Sequence, residues 1–132
     1  MFRTGKAIPI APAKEDKALL NAAYDAVAEA LSQGELVGIF PEGRITDTGE
    51  LYPFRGGIAR IIERTPVPVV PLALKGLWGS FFSRMGGKAM SRPFARGIFS
   101  PIGLEARPAF APAAATPEAL QAVVLEMRGD WK

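Results

Sequence analysis

Two arginines and a glycine carry most of the chemistry that can be read between residues 40 and 57. Phe40, Pro41, Glu42, Gly43, Arg44 and Thr46 follow directly on the apolar run Leu36–Phe40, and Arg55 stands immediately before Gly56 and Gly57. A guanidinium presents a planar fork of donors that matches phosphate oxygens. Gly43 permits a tight backbone turn close to a ligand, and Thr46 adds a hydroxyl. A helix beginning at Gly56-Gly57 would offer N–H groups that have no partner within the helix. Together these groups would converge on one phosphate. The same residues also suit a solvated Glu42/Arg44 loop pair beside a plain turn into a helix, and residue type alone leaves both readings open. No GxxxxGK[ST] pattern is present, so nucleotide binding of the P-loop kind has no support.

What is missing limits the chemistry further. The chain has no cysteine and no histidine. Disulfides, thiolate nucleophiles and cysteine-based metal sites are excluded, and so is an imidazole base. Glu42 and Asp47 remain as carboxylates, but with ordinary pKa values of about 4 they are weak bases unless strongly desolvated. No metal and no bound cofactor are expected.

The elements that must position these residues follow from periodicity. Residues 7–11 alternate and predict a short edge strand. Residues 15–33 predict a helix, with Leu20, Ala23, Tyr24, Val27 and Leu31 on one apolar face, Glu15 and Asp16 at its start and Gly34 just past its end. Residues 36–40 (LVGIF) are a continuous apolar run, as in a strand buried on both faces. Ile58, Ile61 and Ile62 share one side of a second helix that Pro66 closes. Residues 68–74 predict another buried strand, and 96–102 a further one. An Ala/Pro-rich stretch at 106–115 reads as a surface connection. Thr116 and Pro117 cap and open a last helix whose apolar face is Leu120, Val123, Val124 and Met127. Strands alternating with helices predict an α/β fold, a mostly parallel sheet flanked by helices, with ligands at the carboxyl ends of the strands.

Composition agrees with one domain or a large part of one. Over 132 residues, 48% are apolar and 22% charged, enough to form a core and too apolar for wholesale disorder. The formal charge of +3 would help the chain meet phosphate or an anionic membrane surface but gives no case for nucleic acid. No stretch reaches the roughly 20 apolar residues of a membrane span, and the N-terminus has too short an apolar run for a secretory signal. The expectation is a soluble, intracellular chain. Trp78, Phe81, Phe82, Phe94 and Phe99 alternate with Arg84, Lys88, Arg92 and Arg96. Those residues fit a membrane or carrier-protein contact surface, but Gly86-Gly87 and Pro93 break any long amphipathic face, which favours a folded loop.

Three blocks resemble one enzyme family. FPEGRIT at 40–46 resembles the FPEG-T-R-S signature of lysophospholipid and glycerol-3-phosphate acyltransferases. PFRGGIARI at 53–61 is similar to that family's F-[KR]-x-G-x-x-x-[AI] block, and VPVVPLAL at 67–74 to its V-P-I-V-P-V strand, all in family order. The resemblance implies a glycerophosphate-acyltransferase-like fold. It also implies acyl transfer from acyl-CoA or acyl carrier protein to the hydroxyl of a lysophospholipid or glycerophosphate, with the acceptor's phosphate held by Phe40–Thr46 and Arg55–Gly57. FPEGRITDTGELYPFR with GLWGSFF looks most like the branch that reacylates 2-acyl-glycerophosphoethanolamine. There are two departures. The arginine after Phe-Pro-Glu-Gly stands one place earlier than the family's, and the family's N-H-x-x-x-x-D motif, whose histidine acts as base, is absent.

Those departures imply a single partial domain over 1–132, with an α/β core at 1–105, a linker at 106–115 and a C-terminal helix at 116–132. Met1 would begin partway through the family's domain, and no catalytic residue is assigned in this chain. The resemblance further implies a cytoplasmic location, peripheral at the membrane's cytoplasmic face. A helix face left uncovered would favour self-association. A rival reading, a non-catalytic lipid- or phosphate-binding module derived from the family, shares the same phosphate site.

Overall fold

A computed structural model describes residues 7–9, 14–79 and 101–130. Three α-helices, two strands and a 3-10 turn succeed one another: α1 (Lys17–Ser32), α2 (Gly57–Arg64), β1 (Leu72–Lys75), β2 (Gly103–Ala106), the turn Pro112–Ala114 and α3 (Pro117–Arg128).

The helices form where local signals place them. Asp16 caps α1, its carboxylate accepting the Leu19 N–H at 2.8 Å. Gly34 terminates it in the left-handed region at φ +78°. Thr116 caps α3 by accepting the Ala119 N–H at 3.2 Å, with Pro117 in the first turn. α2 stops at Arg64, because Thr65 precedes Pro66 and is held out of helical geometry.

The sheet differs from the expected one. β1 and β2 pair antiparallel, with Leu74 opposite Leu104 and Leu72 opposite Ala106. No parallel pair occurs among the described residues. The third block contributes β1 plus a bridge from Val69 to Phe110. Of the strand expected at 96–102, residues 96–100 lie outside the described residues and 101–102 are not strand, and β2 follows at 103–106. Residues 36–40 form no strand. Leu36 is 101% and Phe40 78% exposed, and among the described residues no strand flanks the run, so its backbone groups have no ladder to join. The same holds for residues 7–9.

The core lies where α2 and α3 meet. Ile58 and Ile62 pack with Ala115 and Leu120, and Phe54, Val69 and Phe110 close over them. The Ala/Pro stretch is therefore not a mere surface linker. It delivers Phe110 and a fully covered Ala115 (3% exposed) to the interior. α3 covers one face of β1, burying Ala73. The opposite face, with Leu72, Leu74 and Leu104, lies exposed. Polar contacts join α1 to α2: the Arg60 guanidinium lies 4.3 Å from the Tyr24 ring centroid and Arg64 pairs with Asp25. Across the strands, Lys75 and Glu105 pair. That ammonium holds the Glu105 carboxyl below its ordinary range, against a smaller opposing effect of burial. No described helix is long and apolar enough to cross a membrane.

Candidate functional site

The polar loop after Phe40 folds back on itself. The Gly43 N–H donates to the Phe40 carbonyl at 3.0 Å, closing a tight turn around Pro41 and Glu42. The Arg55 N–H donates to the Pro41 carbonyl at 2.9 Å, tying the end of the loop to its beginning. Gly43 sits at φ +67°, and a Cβ there would lie 3.2 Å from Arg55 Cδ and 3.3 Å from Nε. Glycine suits this position for a backbone angle that side chains disfavour, and a Cβ there would displace the Arg55 side chain by a few tenths of an ångström.

The turn brings Glu42, Arg44 and Arg55 to one open cleft of about 340 Å³, completed by Tyr52, Pro53 and Phe54. The Arg44 guanidinium carbon lies over the Tyr52 ring, 3.4 Å from its centroid. Such a cation–ring contact holds the guanidinium in place without using its N–H donors on another oxygen. Among the described residues no carboxylate forms an ion pair with Arg44 or Arg55. Glu42 instead accepts the Tyr52 N–H at 2.7 Å. Its carboxylate organises the loop, and because Glu42 also lines the cleft its negative charge offsets part of the field of the two cations.

The other expected site residues divide. Phe40 and Pro41 serve through their carbonyls. Gly56 and Gly57 follow Arg55 into α2, adjoining the cleft without lining it, and no side chain caps that helix start. Thr46 is not in the cleft: its hydroxyl accepts the Thr48 and Gly49 N–H groups at 3.3 and 3.1 Å, a local turn that engages the oxygen expected on phosphate. The aromatic and basic residues at 81–99 lie outside the described residues. Trp78 is described, and its indole packs against Gly49.

Three participants escape a reading of residue type. Tyr52 forms the floor under Arg44. The Phe54 N–H donates to Gln121 Oε1 at 3.0 Å, and Arg128 donates to the Gly49 carbonyl at 2.8 Å and to Glu50 at 2.9 Å. Only Tyr52 carried a local signal, an aromatic close to the arginines. A more open groove of about 370 Å³ lies by Arg107, Phe110, Val123 and Glu126. Its guanidinium is already paired with Glu105 and Glu126. No described cluster of acidic side chains has the makings of a metal site.

A glycine turn with two guanidiniums over one cleft, neither in an ion pair among the described residues, beside a helix start, has the chemistry of an oxyanion-binding loop. Comparison with known proteins gives that loop a lineage. The Acyltransferase family model matches residues 1–75, more than half of the sequence, and the chain belongs to that family. It is 44% identical over 48 residues to the 1-acyl-sn-glycerol-3-phosphate acyltransferase BAT2, chloroplastic, of Brassica napus, covering 36% of this chain and 14% of the relative. It is 47% identical over 38 residues to a 1-acyl-sn-glycerol-3-phosphate acyltransferase of Cocos nucifera, covering 29% of this chain and 12% of the relative. The matched stretches are thus a small part of either relative's length. No solved structure matches significantly.

Proposed function

We infer that the loop from Phe40 to Gly57 binds the phosphate of a glycerophosphate or lysophospholipid acceptor, and that this chain brings that acceptor-binding half to an acyl transfer. The observation that carries this reading is the shared cleft of Arg44 and Arg55, with Gly43 seated beneath Arg55. Family membership and the two relatives, both named for acylation of 1-acyl-sn-glycerol 3-phosphate, support the substrate class. The donor is an acyl thioester of coenzyme A or acyl carrier protein. The acceptor hydroxyl forms a new bond to the acyl carbon, the carbon–sulfur bond breaks, the thiolate leaves, and a base takes the hydroxyl proton. The reaction takes place peripherally at the cytoplasmic face of a membrane, where such acceptors reside.

This chain supplies no imidazole for that proton, and its nearest carboxylate, Glu42, is engaged with the Tyr52 N–H. It therefore binds acceptor without turning it over. That same absence of histidine supports the second reading, a binding module that no longer performs the chemistry. Calorimetric titration tests the site: glycerol 3-phosphate binds, glycerol does not, and Arg44→Ala or Arg55→Ala each weakens binding. Parallel arms with lysophosphatidate and 2-acyl-glycerophosphoethanolamine separate the headgroups. Equal affinity for glycerol and glycerol 3-phosphate would remove the reading. Acyl transfer abolished by Glu42→Gln would overturn the inactive half of it.

A further inference from the structure

Tyr52, Pro53 and Phe54, which line the cleft with Arg44 and Arg55, lie on the returning limb of the loop, residues 49–54. That limb is gripped from α3. Arg128 donates through one terminal nitrogen to the Gly49 carbonyl (2.8 Å) and through the other to Glu50 Oε2 (2.9 Å). Gln121 Oε1 accepts the Phe54 N–H (3.0 Å). Residues 121 and 128 are seven apart, close to two full helical turns, so both side chains leave α3 on one face.

The stability of α3 does not itself explain Arg128. A cation in a helix's last turn is favourable when fully solvated. Here the side chain is only 12% exposed and its buried Nε has no partner among the described residues. Burying a donor without a partner is unfavourable, and the two terminal bonds must offset it. Both of those bonds go to the site loop.

The grip reaches the cleft in one further step. The limb carries Tyr52, whose N–H holds the Glu42 carboxylate and whose ring is the floor for the Arg44 guanidinium. It ends at Arg55, whose own N–H is tied to Pro41. We propose that Gln121 and Arg128 are positioning residues, through which α3 holds the loop so that Arg44 and Arg55 present a preformed phosphate cradle. The proposal rests on the phosphate reading of the cleft. It extends that reading to a helix outside residues 1–75, the stretch that the family comparison covers.

A loop that must be ordered before it binds has its apparent affinity reduced by the fraction of time it is competent. Gln121→Met and Arg128→Met keep stem volume while removing the bonds. Each is expected to weaken glycerol 3-phosphate binding roughly tenfold, as when only a tenth of the loops are competent, and to speed amide hydrogen exchange at Tyr52 and Phe54. Arg128→Lys, able to reach one acceptor but not both, falls between. Thr116→Ala destabilises α3 from its other end and leaves affinity within about twofold, because it touches nothing in the loop. Wild-type affinity in both methionine variants overturns the proposal. If Arg55→Ala also binds normally, the phosphate reading has failed instead. The exchange rates then judge the clamp alone: unchanged rates at Tyr52 and Phe54 in Arg128→Met overturn it, and faster rates support it.

Discussion

Gly43→Ala separates backbone strain from site chemistry. The wild-type φ of +67° places the residue in the left-handed region, which costs an L-residue about 1–2 kcal/mol. The new methyl would also stand 3.2 Å from Arg55 Cδ and 3.3 Å from Nε. Arg55 is exposed, so its side chain gives way by a few tenths of an ångström at little expense in stability. The guanidinium, however, leaves its place. Hydrogen bonds to charged groups contribute about 1.5–3 kcal/mol, so misplacing one donor fork lowers phosphate affinity by roughly 10- to 150-fold. Gly34→Ala is the matched control: its φ is +78°, yet nothing lies within 4 Å of the added methyl. Urea denaturation should show similar losses, about 1–2 kcal/mol, for both variants. Titration with glycerol 3-phosphate should show a loss of affinity only for Gly43→Ala. Equal affinity in both variants, or a destabilisation by Gly43→Ala below about 0.5 kcal/mol, would refute the reasoning.

Three further outcomes follow from the packing and electrostatics. Gly49→Ala adds a methyl 2.8 Å from the Trp78 ring at φ +80°, so it combines strain with overpacking and should lose about 2–4 kcal/mol in urea denaturation. Asp16→Ala and Thr116→Ala remove side-chain caps from α1 and α3, each lowering stability by about 1 kcal/mol in the same assay. Glu105 is held below its ordinary pKa chiefly by Lys75. Its contribution to stability is complete above the unfolded-state value and is lost as pH falls through the lower folded one. Thermal melts should therefore show Glu105→Gln destabilised relative to wild type at neutral pH, with the difference shrinking on the acid side.

How much was legible depended on the range of the interaction. Gly34, Thr116 and Pro117 act on neighbours within a few residues, and their types alone placed the end of α1 and the start of α3; Asp16, expected inside the first turn, is instead the cap. The turn at Gly43 was legible because a tight glycine turn is a local property. A hydroxyl such as that of Thr46 has two plausible employers, and in the structure it serves the local turn. The run at 36–40 looked like a buried strand, but a strand exists only through partners, and none flanks it among the described residues. Phe110 and Ala115 sit in a stretch whose composition reads as surface, and tertiary contact with Ile58, Ile62 and Leu120 overrides that. Gln121 and Arg128 reach partners 67 and 79 residues away, a relation no local pattern encodes.

Whether one anion sits between Arg44 and Arg55 is decided by an amide-resolved NMR titration with glycerol 3-phosphate. Saturable shifts confined to Gly43, Arg44 and Arg55–Gly57, and lost in Arg55→Ala, are the predicted result. Shifts centred instead on the groove at Arg107 and Glu126, or shifts that persist in the Arg44→Ala/Arg55→Ala double variant, would contradict it.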